Sequence, residues 1–369
     1  FAQDSAEIFE GAGIKTRLFD SAVPTPVAAF TGKRFHASAT VIVTASHNPP
    51  RDNGYKVYLG GQNGCSQLVS PQDKQIAALI DEIALQTKFS DIPKASNIET
   101  LGQADIDAYV AKAASLVASD TSGRSDLRIT YTAMHGVGYR VMKAVFDSTG
   151  FVFSSVAKQQ EPDGQFPTVA FPNPEEPGAM DLSFAHALTQ HSDLIIANDP
   201  DADRLAVGIR NGNGYQMLTG DQVGLLLAEM IASGKQSGTL ANSIVSASLA
   251  KVAAFHNLKY QQTLTGFKWI SKVPNLSFGY EEALGYCIDP TFTPDKDGIT
   301  AALAIAELAA TLKAEGMSLL DLLRGLAKRY GHVATGQVSI RVTDLSVIGK
   351  VMSGVKSDPV AEILGEVAE

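Results

Sequence analysis

Cysteine is almost absent. Cys65 and Cys287 are the whole supply in 369 residues, too few and too far apart in sequence for a disulfide framework or a zinc site. Positive charge is also scarce: 30 lysines and arginines face 39 acids, a net charge of −9, so duplex nucleic acid and anionic membranes are poor partners. No apolar run reaches transmembrane length and no signal peptide is legible, which points to the cytoplasm. What remains is ordinary globular material, 45% hydrophobic and 19% charged, enough for a real core. The length predicts about two to four domains.

Apolar periodicity and turn residues lay helices and strands alternately along the chain, an α/β pattern. Residues 1–120 form a first unit. A helix stops at Gly11 and Gly13, a strand follows at 14–19, Pro24-Thr25-Pro26 restarts a helix, and a strand runs over 39–43. An extended stretch at 56–59, a helix capped by Ser70 and opened by Pro71, a polar irregular segment at 90–103 and a helix at 105–117 complete it. Thr121-Ser122-Gly123 reads as a boundary. Residues 121–236 hold strands at 127–131, 151–157, 193–197 and 205–209, a hairpin turn at 211–214 and a helix at 220–233. Within them, 161–178 reads as a long surface loop rich in proline and acid. Residues 237–332 repeat the order of strand, loop and helix, with strands at 243–245 and 276–280 and helices at 297–315 and 319–330. After His332 the style changes. A β run at 337–342 and a helix from Asp344 read as the start of a different domain, residues 333–369.

Three loops carry legible chemistry. Thr44-Ala45-Ser46-His47-Asn48-Pro49-Pro50 follows a buried strand, which its prolines forbid from continuing. Ser46 thus sits on a stiff turn at the mouth of a sheet, where open α/β sheets keep their sites; a hydroxyl and an amide fixing a turn is the alternative. No G-x-S-x-G elbow surrounds Ser46, and His47, though adjacent, need not face its oxygen. Asp199, Asp201 and Asp203 alternate, and in an extended segment that spacing turns all three to one side. Two carboxylates ~4 Å apart repel by about 4 kcal/mol at an effective dielectric of 20. Convergence therefore requires protons or a cation, and hard oxygens favour Mg²⁺ or Ca²⁺. Arg204 and Arg210 stand where an EF-hand needs glycine and glutamate. A small, exposed acidic turn is the competing reading. Glu281 and Glu282 follow a strand in a glycine-bounded loop, a pattern that also suits a solvated turn.

The stretch TASHNPPRDNGYKVY at 44–58 closely resembles the phosphoserine loop of the α-D-phosphohexomutase family, the phosphoglucomutases, phosphomannomutases and their relatives. NDPDADR at 198–204 and GYEEALG at 279–285 resemble two further loops of that family, in the same order. The resemblance implies tandem three-layer α/β/α domains with mixed sheets, plus the start of an α+β C-terminal domain. It implies that Ser46 carries the phosphoryl group and that Asp199, Asp201 and Asp203 hold Mg²⁺ with a phosphoserine oxygen. Arg204 would set a positive fork beside that phosphate. His47 becomes a candidate for phosphate contact or acid–base work, and Lys56 for moving a proton or steadying phosphate. Glu281, the better candidate, and Glu282 would grip sugar hydroxyls, since a carboxylate accepts from two neighbours. Ala283 stands where many relatives have serine. Thr265-Gly266-Phe267-Lys268 resembles the family's substrate-recognition loop, and Lys296 matches a lysine that reaches the active site. Either lysine reads equally well as helix-flanking surface charge.

The activity implied is that of a phosphohexomutase, interconverting 1-phospho and 6-phospho sugars through phosphoserine and a sugar 1,6-bisphosphate. Glucose and mannose phosphates stand ahead of pentose phosphates. The aromatic before the glutamates is similar to the branch holding phosphopentomutases and sugar-bisphosphate synthases. A haloacid-dehalogenase-like phosphatase and a non-catalytic sugar-phosphate-binding protein are the competitors from other classes. Small sugar phosphates are the expected partners, and a monomer or homodimer the expected state. In the family a strand and a phosphate-contacting loop precede the first helix, and a last domain carries a phosphate clamp. Neither is legible here. The resemblance therefore implies a chain shortened at both ends, turning over hexose phosphate at least ~10²-fold slower than one with the clamp.

Overall fold

The computed structural model describes residues 1–244, 248–335, 342–359, 361–363 and 366–367. They divide into two compact units, Phe1–Val333 and Ala334–Glu369. The first unit opens with α1 (Ala2–Gly11), β1 (Arg17–Phe19), α2 (Thr25–Arg34), β2 (Ala39–Val43), β3 (Tyr55–Leu59), β4 (Ser66–Gln67), α3 (Gln72–Gln86), β5 (Glu99–Leu101) and α4 (Gln103–Ala114). Strands β2, β3 and β4 form an antiparallel sheet, and β1 pairs in parallel with β5. The segment expected to be irregular at 90–103 thus contains a strand, too short for any period to announce it. The expected cap at Ser70 is also corrected: its hydroxyl bonds the Asp73 carboxylate at 2.8 Å, and Pro71 precedes the helix.

Next come β6 (Ile129–Thr132), α5 (Gly138–Ser148), β7 (Phe153–Ser155), α6 (Asp181–Gln190), β8 (Leu194–Ala197), β9 (Ala206–Asn211) and β10 (Gly214–Met217). They build a mixed five-stranded sheet in the order β10-β9-β8-β6-β7. Strands β6 and β8 are buried at every position, so they read as continuous runs rather than alternations. Helix α6 is unannounced in the sequence because its buried face is Ser183 and Ala187, too small or polar to mark a stripe. The loop at 161–178 is not simply surface: Pro172, Asn173 and Pro174 are buried.

A further sheet, the third-domain or third sheet, is built with α7 (Gly220–Ser233), β11 (Thr239–Ser243), α8 (Ser248–Phe255), β12 (Lys259–Thr263), α9 (Phe267–Ile270), β13 (Leu276–Glu281), β14 (Gly285–Cys287), α10 (Gly298–Ala314) and α11 (Leu319–Tyr330). Its order is β12-β11-β13-β14, parallel except at β14. Helix α7 packs on α8 and β13, so it belongs with this sheet and not with residues 121–236. The strand expected at 243–245 instead ends at Ser243, and Val245 lies outside the described residues. One apolar core runs from Val27 and Tyr109 through Ile129 and Ile196 to Phe278 and Leu326, joining all three layers.

The second unit contains α12 (Ser346–Ser357) and an antiparallel pair, β15 (Glu362–Ile363) with β16 (Glu366–Val367). The β run expected at 337–342 falls, but for Val342, outside the described residues. Among the described residues no helix is long and apolar enough to cross a membrane.

Candidate active site

Ser46 follows the end of β2. The Ser46 amide donates to Thr44 Oγ1 at 2.9 Å, and the residue takes φ 53°, in the left-handed region. That turn carries Ser46 Oγ across to Asp199 Oδ2, 2.8 Å away. His47 does face the serine: its Nδ1 is 3.1 Å from Ser46 Oγ. Burial, then the Arg204 charge, pushes the imidazole down to about 4.

The aspartate loop departs from both sequence expectations. It is a tight turn, not an extended run: the Ala202 amide donates to the Asp199 carbonyl at 2.9 Å, and Ala202 takes φ 57°. Nor is it exposed, since Asp199, Asp201 and Asp203 are all buried. One carboxylate oxygen from each lies within 4.8 Å of the others. Lys56 Nζ, on β3, bonds Asp201 Oδ2 at 2.7 Å and Asp203 Oδ2 at 2.8 Å. Burial and the neighbouring Asp201 and Asp203 push the Asp199 carboxyl well up. Burial also acts to raise Asp203, but Lys296, Lys56 and Arg204 outweigh it and hold that carboxyl below the usual range. Asp201 Oδ1 and Asp203 Oδ1 are buried with no hydrogen-bond partner among the described residues. Orphaned carboxylate oxygens beside a third converging carboxylate are what a hard divalent cation would satisfy, so these residues fit a metal.

Backbone contacts dock this loop on the third sheet. Arg204 bridges Gly285, and the Leu205 amide donates to the Leu284 carbonyl at 3.0 Å. Gly298, opening α10, has to be glycine here, because a Cβ would lie 2.2 Å from the Arg204 carbonyl oxygen. The docking brings in Glu281 and Lys296. Lys296 is buried rather than a surface charge, with Nζ 3.4 Å from Asp203 and 3.9 Å from Glu281. Burial raises the Glu281 carboxyl, partly offset by Lys296. Glu282 accepts from Ser243 Oγ at 2.7 Å. Phe267 supports Lys296 from 5.5 Å, and Gly266 takes φ 116° ahead of α9. Thr265 is exposed and Lys268 Nζ lies 5.9 Å from the Trp269 ring; no described contact joins either residue to Ser46 or the aspartates.

Several neighbours of the site carry no signal of their own in the sequence. Thr25, at the start of α2, donates its hydroxyl to Asp201 Oδ2 at 2.6 Å and its amide to the Asp201 carbonyl at 2.9 Å. Glu175, set by a turn in which its amide donates to Asn173 Oδ1, approaches Arg204 at 3.8 Å. Pro-Asn-Pro before two acids was the available hint that this loop is built rather than loose. A cavity of about 300 Å³ opens between the Ser46 loop and the loop of His135, lined by Thr25, Asn48, His135, Phe166 and Asp201. His135 Nε2 is tied to Thr168 Oγ1 at 2.8 Å, a structural bond.

Three family descriptions match in sequence: phosphoglucomutase/phosphomannomutase alpha/beta/alpha domain I over residues 1–87, domain II over 107–212 and domain III over 219–330. A protein of Haemophilus influenzae described as "Probable phosphomannomutase" is 49% identical, covering 99% of this chain and 76% of its own length. Human phosphopentomutase is 32% identical across 97% of this chain, which spans 62% of that protein. A phosphoglucomutase/phosphomannomutase family protein of Burkholderia thailandensis shares the fold, with TM-score 0.71 at 21% identity over 96% of this chain and 73% of that one. With three domains matched in order and 49% identity to the Haemophilus protein along nearly all of this chain, the chain belongs to the phosphoglucomutase/phosphomannomutase family.

Proposed function

We propose that the chain works as a phosphohexomutase, interconverting 1-phospho and 6-phospho sugars, with phospho-Ser46 as donor and a sugar 1,6-bisphosphate as intermediate. The observation that carries this reading is Ser46 Oγ, 2.8 Å from Asp199, against a buried triad with two orphaned oxygens. A sugar hydroxyl attacks the phosphorus of phospho-Ser46. A new P–O bond to the sugar forms as the bond to Ser46 Oγ breaks, and the net proton movement runs from the hydroxyl to that oxygen. His47, 3.1 Å from Ser46 Oγ, stands at the receiving end. The return half transfers the other phosphate back to Ser46. Asp199, Asp201 and Asp203 would hold Mg²⁺, whose chemistry there is to polarise the phosphoryl oxygens and neutralise developing charge.

Lys56, clamped by Asp201 and Asp203, lies within the same charge cluster and steadies phosphate. Glu281 and Glu282 accept from sugar hydroxyls. Arg204 and Lys296 supply positive charge to the phosphates, and Thr265, Gly266, Phe267 and Lys268 recognise the substrate, with Lys268 as a point charge for phosphate. The Haemophilus relative's description favours hexose phosphates; the human relative supports pentose phosphates as the second reading. Both cysteines are free thiols, in keeping with a reducing cytoplasm. Intact-mass analysis after incubation with glucose 1,6-bisphosphate is expected to show one added phosphate, mapped to Ser46. Ser46→Ala is expected to abolish isomerisation of glucose and mannose phosphates; a folded, fully active variant would overturn the mechanism. Release of inorganic phosphate without isomerisation would favour a phosphatase instead.

A further inference from the structure

We propose that Tyr58 and Tyr109, on elements of the first domain, are positioning residues for Lys296 on the third. Residues 295–297 read Asp-Lys-Asp, a run that would be solvated in most chains, yet all three are buried. The two flanking aspartates are each taken by a tyrosine from elsewhere. Tyr58 OH donates to Asp295 Oδ2 at 2.6 Å, and Gln67 Nε2 donates to the same oxygen at 3.0 Å. Tyr109 OH, on α4, donates to both oxygens of Asp297, at 2.9 and 3.0 Å. The peptide bearing Lys296 is therefore gripped one residue to either side.

The lysine itself has little freedom. Its own amide donates to Asp295 Oδ1 at 2.7 Å. Its stem crosses Gly285, where a Cβ would lie 2.3 Å from Lys296 Cδ, and its head ends 3.4 Å from Asp203. Strand β3 makes the arrangement a ruler. Residues two apart on a strand share a face, so Lys56 and Tyr58 project together. Lys56 reaches Asp203 directly at 2.8 Å, while Tyr58 reaches it through Asp295 and Lys296. One strand thereby sets the spacing of both ammonium groups around a single carboxylate.

A buried tyrosine hydroxyl needs some partner, so plain core satisfaction is the competing account, and a double-mutant cycle separates the two. Tyr58→Phe and Tyr109→Phe are made in the full chain, with and without Lys296→Ala, and kcat/KM for glucose 1-phosphate is measured alongside Tm. Each tyrosine variant is expected to lose at least ~10-fold in kcat/KM when Lys296 is present. The loss should fall to less than about twofold in the Lys296→Ala background, while the Tm decrement stays the same in both. Equal activity losses in both backgrounds, or none, would overturn the proposal. What Lys296 does for substrate rests on the mutase reading; where it is held does not. Acylation footprinting tests the second point alone. Lys296 is expected to resist an amine-reactive ester in the parent and to be labelled in folded Tyr58→Phe, with exposed Lys15 labelled in both. A Lys296 that stays protected in the variant sinks the clasp whatever the enzyme's activity. Should Tyr58→Phe fail to fold, Gln67→Leu, which removes the companion bond to Asp295, carries the same measurements.

Discussion

Asp203 shows what a single residue must balance in this site. Its carboxylate, 1% exposed, lies 2.8 Å from Lys56 and 3.4 Å from Lys296. Removing one partner of a buried ion pair costs roughly 3–5 kcal/mol, because the remaining charge has no solvent to return to. Lys56 keeps Asp201 at 2.7 Å and Lys296 keeps Glu281 at 3.9 Å, so Asp203→Ala is expected to lower stability by no more than the low end of that range in urea unfolding, about 2–3 kcal/mol, with Asp203→Asn intermediate. A loss below about 1 kcal/mol for the alanine variant would mean the lysines simply relax outward. The metal makes a second expectation at this scale. A cation that binds the native triad and not the unfolded chain raises Tm by mass action. Saturating Mg²⁺ should raise the parent's Tm, and the rise should be lost in Asp201→Asn, whose Oδ1 is one of the orphaned oxygens. An equal rise in the variant would show that the ion binds elsewhere.

Among the elements, α10 ties its own start to the site. Asp297 caps it, accepting from the amides of Ile299 at 3.1 Å and Thr300 at 2.9 Å. Burial, partly offset by the bonds from Thr300, Tyr109 and Thr293, lifts the Asp297 carboxyl to about 6. In the unfolded chain it would titrate near ~3.9. A raised carboxyl favours the fold fully below the unfolded value, and that contribution is lost as pH rises through the folded one. The stability difference between parent and Asp297→Asn should thus move against the parent between pH 4.5 and 7, by an amount on the order of 2 kcal/mol. A difference that does not change with pH over that window would show the carboxyl to be ionised throughout.

Residues 1–333 are best regarded as one cooperative body. The apolar core passes without a break from α2 and α4 through β6 and β8 to β13 and α11. Side-chain bonds span the same distance, among them Thr25 to Asp201, Tyr109 to Asp297 and the buried Arg124 Nε to Glu307 at 2.7 Å. Multidomain proteins commonly unfold in stages, but shared core leaves no layer able to melt without exposing its neighbour's apolar face. Fluorescence of Trp269, the sole tryptophan, reports the third sheet, while far-UV circular dichroism reports every element. Their urea transitions are expected to coincide; a fluorescence transition displaced by more than about 0.5 M, roughly 0.5–1.5 kcal/mol for an ordinary urea slope, would show the third layer unfolding separately.

Much of this was written in local chemistry. Prolines after an apolar run place Ser46 on a turn, alternating aspartates advertise a cation, and strand–loop–helix order names the α/β class, because turn residues and periodicity act over a few neighbours. Other features have no local cause. His47 faces Ser46 because of the left-handed backbone at Ser46, and the aspartates converge through a turn at Ala202, not through strand alternation. Thr25 and Tyr109 look like ordinary core residues until α2 and α4 lie against loops roughly 180 positions away, by the separations of 176 and 188 residues in their bonds. Lys296 reads as a surface charge until Asp203, Glu281 and Gly285 surround it. Burial and partner identity depend on which distant segments meet, and those meetings are made by packing three domains against one another, which no stretch of neighbouring residues records.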